Sequence, residues 1–229
     1  TLGMRSAFYF CPRQGSLALY AMGRPDPFYD VTSPRFGALF RYLADSGCEV
    51  GLHASYAAYK SADRLSREKR RLEEACGQAV RGNQHHYWHL DPHDPDGTLL
   101  LHERVGLLYD TSLIHDRYVG WRRGISQPFF PFHAGERREL RTLQIPPVWM
   151  DSQLFGHNGR STSHRWETLQ GLVDRVITQE GCLLVVVHEY VYDEALYPEW
   201  AHTYQRLLEC LAGRGDVWFA TPAEIAAHW

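Results

Sequence analysis

Three ionisable side chains in this sequence stand directly after short apolar runs, where buried strands would end. His53 follows EVGL, Asp110 follows GLLY, and His188 follows CLLVVV. The segment QHHYWHLD at 84–91 adds three more imidazoles after a charged, helix-like stretch. Neutral imidazole is the commonest zinc ligand and also titrates near neutral pH, so the pattern is typical of a metal or acid–base site. Any one of these histidines, taken alone, could equally be a hydrogen-bonded structural residue.

Strands that alternate with helices are the elements that must bring these side chains together. The predicted strands are MRSAFYF, CEVGLH, LLYDTS, TLQIPPVW, CLLVVVHEY and the start of DVWFATPAEIAAHW. The predicted helices are PRFGALFRYLADSG, SADRLSREKRRLEEACG, GTLLLHERVG, HRWETLQGLVDRVITQEG and EWAHTYQRLLECLAGRG. Repeated strand–helix units favour a parallel sheet or barrel, with active groups at the carboxyl ends of the strands. With no linker or internal repeat visible, we predict a single domain over residues 1–229.

Composition excludes two classes of partner. The 229 residues carry a formal net charge of -3 and no basic stripe, so we expect no nucleic acid partner. No apolar run approaches the roughly 20 residues that a membrane span needs. Five cysteines without a CxxC pair predict buried free thiols in a reducing compartment. Together with the lack of a visible signal peptide, this predicts a cytoplasmic protein.

An ordered set of segments gives the chain a resemblance to a known family. The segments are GMRSAFYF, EVGLHASYAAY, HHYWHLD, GLLYDTSL, VGWRRGISQPFFPF, LQIPPVWMD, LLVVVHEY and VWFATPAEIAAHW. In this order the sequence resembles the polysaccharide deacetylase (NodB-homology, carbohydrate esterase) superfamily, and above all a divergent bacterial branch. The resemblance implies an α/β fold, a distorted (β/α)7 barrel whose first strand lies upstream of Thr1. It also implies metal-dependent hydrolysis of N- or O-acetyl groups on a sugar polymer, with zinc as the expected ion.

The resemblance assigns roles residue by residue. His53 matches the first histidine of the metal motif, and His188 matches the late histidine that acts as general acid. Asp110 matches a carboxylate that orients the catalytic base. Trp121 and Trp149 lie in loops that would line the sugar groove and stack on pyranose rings. We further expect His53 and His188 to face one cavity, with side-chain nitrogens within about 12 Å of each other.

Two arginines between glycines, Arg122 and Arg123, are predicted to bind substrate. A guanidinium is planar and suits bidentate contact with a carboxylate. We therefore expect one of the two to turn inward and hold Asp110 or a carboxylate of the substrate. The alternative is that both arginines are solvated.

The sequence departs from the family pattern at the metal site. Ala57 stands where the second metal histidine is expected, and the family's aspartate pair would lie upstream of Thr1. His86 (or His85) is the predicted replacement ligand. With this incomplete set we expect the 229-residue chain to hold little metal and to be inactive on acetylated sugars as it stands. The alternative function is a non-catalytic, sugar-binding relative that has lost its metal site.

Overall fold

Parallel strands form the sheets that carry the candidate residues in this computed structural model, which describes residues 3–155 and 161–229. The chain divides into two compact units. The larger unit comprises Arg5–Ser112, Phe129–Gln144 and Ala220–Trp229, and the smaller one is built mainly from Leu113–Pro128 and Ile145–Phe219. Each unit is therefore assembled from segments that are far apart in the sequence.

The larger unit contains a five-stranded parallel sheet. Its strands, in spatial order, are β1 (Ala7–Phe10), β2 (Glu49–Leu52), β3 (Gly82–Asn83), β4 (Tyr109–Asp110) and β7 (Leu143–Gln144). A short antiparallel hairpin, β5 (Phe132–His133) with β6 (Arg138–Glu139), lies between β4 and β7 in the sequence. Leu52 pairs with Asn83, and Asn83 with Asp110, so the residues that follow β2, β3 and β4 emerge at one edge of the sheet.

Helices of the larger unit follow the predicted pattern. They are α1 (Leu17–Ala21), α2 (Pro34–Asp45), α3 (Ala62–Cys76), α4 (Pro95–Arg104) and α8 (Pro222–His228). The predicted helix SADRLSREKRRLEEACG matches α3: the Ser61 side chain accepts a hydrogen bond from the Arg64 amide, and Gly77 ends the helix at a φ of 71°. Leu65 and Leu72 of α3 are fully buried. They join a core that also contains Phe10, Phe40, Leu43, Val50, Leu52 and Val80.

A half-buried carboxylate connects α8 to the sheet. Glu49 Oε1 accepts a hydrogen bond from the Tyr109 hydroxyl at 2.7 Å, and Oε2 accepts one from the Ala223 amide at 3.0 Å. Burial raises the pKa of Glu49 in spite of these two bonds. Arg5 adds an ion pair to Glu224 at 2.6 Å. The segment Ala220–Trp229 is therefore tied to strands that precede it by more than a hundred residues.

The smaller unit has a two-stranded parallel sheet with helices around it. Its elements are β8 (Pro147–Met150), α5 (Asp151–Phe155), α6 (Thr162–Thr178), β9 (Leu184–Val186) and α7 (Trp200–Ala212). Its core contains Val148, Trp149, Leu154, Leu169, Leu172, Val173, Leu207 and Leu211. Within the described ranges seven strands pair in parallel, five in one sheet and two in another, and their pairing does not close a barrel.

Some predicted features differ in the structure. TLQIPPVW is not one strand, because Ile145 and Pro146 separate β7 from β8, and proline cannot donate to a ladder. The strand predicted from Asp216 is absent, since residues 216–220 have no strand pairing. Cys11 is buried as predicted, whereas Cys210 is exposed. The prediction of one domain over 1–229 stays a prediction.

Among residues 3–155 and 161–229, no helix is long and apolar enough to cross a lipid bilayer.

Candidate active-site residues

Two imidazoles lie side by side at the carboxyl edge of the larger sheet. The His53 and His86 rings have centroids 4.9 Å apart and planes inclined at 61°. His53 Nδ1 is 2.7 Å from the carbonyl oxygen of Gln84. A carbonyl only accepts hydrogen bonds, so the Nδ1 of a neutral His53 carries the proton. The backbone after β3 therefore fixes the tautomer of the histidine after β2.

Asp26 holds the second imidazole. Its Oδ1 accepts a hydrogen bond from the Tyr56 amide at 2.7 Å and is 3.4 Å from His86 Nδ1, while Oδ2 is 3.5 Å from Arg13 Nε. Burial alone would raise the pKa of Asp26, which is 2% exposed, but the hydrogen bonds and the two basic groups outweigh burial and lower it. No local sequence pattern marks this residue, because Asp26 lies in a loop and not at the end of a strand.

The histidine pair matches only part of the predicted metal site. Each Nδ1 faces an oxygen acceptor, which is how proteins orient metal-binding histidines. A catalytic zinc normally takes about three protein ligands. In the part of the chain that the structure describes, no group of three His, Cys, Asp or Glu side chains is arranged to hold a metal ion. His53 and His86 thus fit as two ligands, and the described residues do not complete the set.

Asp110 is placed to position its neighbours. It is fully buried at the end of β4. Its Oδ1 accepts hydrogen bonds from Asn83 Nδ2 and Ser112 Oγ, both at 2.8 Å, and Oδ2 accepts one from the Ser112 amide at 3.0 Å. A carboxylate enclosed in this way organises the strand ends around it. Its predicted catalytic role stays a prediction.

A second histidine pair is buried beneath this edge. His85 Nε2 and His102 Nε2 are 2.8 Å apart, so the N–H of one ring donates a hydrogen bond to the bare nitrogen of the other. His102 Nδ1 also lies 3.6 Å from Asp110 Oδ1. His85, the alternative replacement for the missing metal histidine, therefore points to His102. Burial lowers the pKa of both imidazoles, so they are neutral in the folded protein.

This buried pair predicts that the protein loses stability in mild acid. The pKa of histidine in an unfolded chain is about 6.5. The pKa values of His85 and His102 are lower than this in the folded protein. Through these two groups the unfolded state binds more protons, so their contribution to the free energy of unfolding is fully present above about pH 6.5 and is lost as the pH drops. Urea unfolding at a series of pH values would measure the slope. His102→Asn should reduce the slope, and the exposed control His93→Asn should not; equal slopes in all three proteins would contradict the prediction.

The smaller unit contains a carboxylate–histidine dyad. Asp151, at the start of α5, is buried and accepts a hydrogen bond from the His188 amide at 2.6 Å. The same Oδ2 is 2.9 Å from His188 Nδ1. The Tyr190 ring stacks on His188 with centroids 4.9 Å apart and planes inclined at 8°. The imidazole is thus held on one side by a carboxylate and on its face by an aromatic ring.

The dyad favours a protonated imidazole. Burial alone would lower the pKa of His188, but the hydrogen bond and negative charge of Asp151 outweigh it and raise the pKa. Asp151 is not among the site residues predicted from the sequence, although it ends the segment LQIPPVWMD and directly follows β8. Such a histidine can act as a general acid near neutral pH.

The two tryptophans predicted to line a sugar groove both belong to the hydrophobic core cluster of the smaller unit. Trp149 is 1% exposed within the core of the smaller unit, so this residue packs the core and the prediction of sugar stacking is corrected. Trp121 is half-buried and packs against the same core. Arg122 and Arg123 are both exposed, and their contact with substrate stays a prediction. The predicted approach of His53 to His188, which lie in different units, also stays a prediction.

Solved structures share the fold of this chain over most of its length. A Mycobacterium smegmatis protein assigned as a polysaccharide deacetylase matches with a TM-score of 0.62 at 19% identity, over 92% of this chain and 73% of its own. Puue allantoinase matches with a TM-score of 0.63 at 19% identity, over 92% of this chain and 69% of its own. A Pseudomonas aeruginosa PAO1 protein, assigned as a polysaccharide deacetylase, matches with a TM-score of 0.63 at 18% identity over the same shares.

These matches show that the chain has the α/β fold of the polysaccharide deacetylases, as its sequence predicts. No protein-family model matches the sequence, and no curated protein is significantly similar to it.

Proposed function

We propose that this protein is a hydrolase that removes acetyl groups from an acetylated sugar or polysaccharide, with His188 as its general acid. The fold is that of proteins assigned as polysaccharide deacetylases. The observation that carries the proposal is the Asp151–His188 dyad. Breaking an amide or ester requires a proton for the departing amine or alcohol. Nδ1 of His188 faces Asp151, so Nε2 is the nitrogen that delivers the proton.

The metal part of the proposal involves His53 and His86. Their Nε2 lone pairs would bind a divalent cation, most simply zinc, because both Nδ1 atoms face oxygen acceptors. When bound, such an ion polarises the carbonyl of the scissile group. Two imidazoles alone give weak binding, and a third ligand would have to come from outside the described residues.

Weak binding of zinc to this chain is the expected result. Competition with a chromogenic chelator should show an affinity low enough for dialysis to remove the ion. His53→Ala and His86→Ala should each abolish what binding there is. His93→Ala is the matched control, because this exposed histidine lies in a nearby loop. Tight, stoichiometric zinc that survives dialysis would show that other residues complete the site.

Acetate release tests the reaction itself. The substrates would be N-acetylglucosamine oligomers for amide cleavage and acetylated xylan for ester cleavage, each with and without added zinc. Allantoin is a third arm, since one protein of this fold is an allantoinase. Acetate release that is lost in His188→Ala supports the proposal. Oligosaccharide binding with no release from either substrate would favour the non-catalytic, sugar-binding alternative. Turnover of allantoin alone would refute the sugar deacetylase.

A further inference from the structure

We infer that Tyr190 is a positioning residue of the candidate site, whose ring holds the imidazole of His188 in one orientation and favours its protonated form. The inference rests on the proposed function, because it takes His188 to be the proton donor. It gives a role to a side chain that is not among the site residues predicted from the sequence.

The rings of His188 and Tyr190 form an offset parallel stack. Their centroids are 4.9 Å apart and their planes are inclined at only 8°. His188 stands two residues after β9, and Tyr190 lies in the short 3₁₀ helix Glu189–Tyr192, so the turn of the backbone brings the two rings face to face. The hydrogen bond to Asp151 fixes Nδ1 of His188, and the stack fixes the plane of the ring. Together they fix the direction in which Nε2 points.

The hydroxyl of Tyr190 contributes less than its ring. The hydroxyl oxygen is 3.3 Å from Asp151 Oδ1 and 3.3 Å from His188 Nδ1. Since Nδ1 donates to Asp151, the hydroxyl also donates to Asp151. Its 3.3 Å bond is longer than the ordinary O–H···O range of about 2.5–3.0 Å. The Ser152 amide donates to the same Oδ1 at 2.6 Å, so the carboxylate depends little on the phenol.

Further aromatic rings keep Tyr190 in place. Tyr197 packs against it with centroids 4.8 Å apart, and Trp200, the first residue of α7, lies 4.9 Å from Tyr197 and 6.5 Å from Tyr190. Trp200 in turn stacks on Phe155, with centroids 4.7 Å apart and planes at 21°. Phe155 belongs to the core of the smaller unit. A chain of ring contacts thus connects the position of Tyr190 to that core.

The charges around the stack favour an imidazolium. The face of a phenol ring is negative and attracts a cation that lies over it. In the part of the chain that the structure describes, the charged groups that act on His188 are Asp151 and Glu189, and both raise its pKa against the effect of burial. Burial and the charge of Asp151 also raise the pKa of Tyr190, so the phenol stays neutral while His188 titrates.

Tyr190→Leu removes the ring, and Tyr190→Phe keeps it. We expect Tyr190→Leu to lower the pKa of His188 by about 0.4–0.7, the size of a cation–π contact at a partly exposed site. With zinc added, kcat on an acetylated sugar should fall by roughly threefold to tenfold with little change in KM, because the imidazole is less often aligned. Tyr190→Phe should change the pKa by less than about 0.2, since the lost hydrogen bond is long. Tyr192→Leu, at an exposed tyrosine two residues further on, is the control and should change neither quantity.

A fluorinated ring separates the charge distribution of this side chain from its shape. With 3,4,5-trifluorophenylalanine in place of Tyr190, the ring still packs as phenylalanine does, but fluorine withdraws electrons from its face. The pKa of His188 should therefore be lower than in Tyr190→Phe. A purely structural role would leave these two variants alike. The comparison also holds if Tyr190→Leu does not fold.

NMR titration of the His188 ring protons measures the pKa without substrate. A lower pKa in Tyr190→Leu and in the fluorinated variant, with Tyr190→Phe close to the wild type, supports the positioning role. If the wild type releases no acetate, the hydrolase is refuted, and the titration still decides whether Tyr190 favours the imidazolium. The same pKa in the wild type and all variants, or a full loss of the effect in Tyr190→Phe, would overturn the inference.

Discussion

Replacing His188 with alanine is expected to lower kcat on an acetylated sugar, measured with zinc added, by roughly 10²- to 10⁴-fold, the usual contribution of a general acid. The imidazole is positioned for this role by Asp151, which bonds both its backbone amide and its ring. Because the lost interaction is with the departing group in the transition state, KM should change little. His202→Ala is the matched control, since this exposed histidine lies on α7 of the same unit.

Asp151→Asn tests the cause of the raised pKa of His188. The amide can still accept a hydrogen bond, but it carries no charge, so the pKa of His188 should fall. The protonated form of His188 would then be lost at a lower pH. In the variant, the alkaline limb of the pH profile of kcat should therefore shift to lower pH. Unchanged activity in His188→Ala, or an unchanged limb in Asp151→Asn, would exclude His188 as the proton donor.

Trp149→Ala is expected to lower the free energy of unfolding by about 3–5 kcal/mol, as for other large core side chains. The indole is 1% exposed and packs against Leu154, Leu169 and Leu207 in the core of the smaller unit. The stacking role that the sequence predicts for Trp149 would instead make this variant lose sugar binding. Urea unfolding followed by circular dichroism measures the first effect, and oligosaccharide titration measures the second.

Trp149→Phe provides the control for this core position. The indole Nε1 is buried and has no hydrogen-bond partner among the residues that the structure describes, so phenylalanine removes a buried polar group while keeping an aromatic ring. We expect this variant to lose much less stability than Trp149→Ala. If alanine costs less than about 1 kcal/mol and sugar binding disappears, Trp149 is a binding residue and its assignment to the core is wrong.

The parallel strands and the helices that flank them could be predicted because hydrophobic period and capping residues are local signals. The segment SADRLSREKRRLEEACG predicted α3, and the run CLLVVV located β9 ahead of His188. The positions of His53 and Asp110 at strand ends followed from the same patterns.

The partners of these histidines could not be predicted, because they come from distant parts of the chain. Asp26 reaches His86 across 60 residues, and Asp151 reaches His188 across 37. A local sequence pattern also cannot distinguish a buried tryptophan from an exposed one. Trp149 lies near the end of the apolar strand β8, a position that is compatible with both a core residue and a groove residue. The positive φ of Tyr87 could not be predicted either, since no glycine stands at this position.

The hydrogen bond between Glu49 and Ala223 has a consequence for how the protein folds during synthesis. The two residues are 174 positions apart. At about 5–20 residues per second, a ribosome needs roughly 10–35 s to produce Ala223 after Glu49 has been made. During this interval the Glu49 carboxylate lacks its hydrogen bond to the Ala223 amide. The part of the sheet that α8 later contacts is also uncovered. We therefore expect the larger unit to complete its fold late and to be a substrate for chaperones until Ala220–Trp229 has docked.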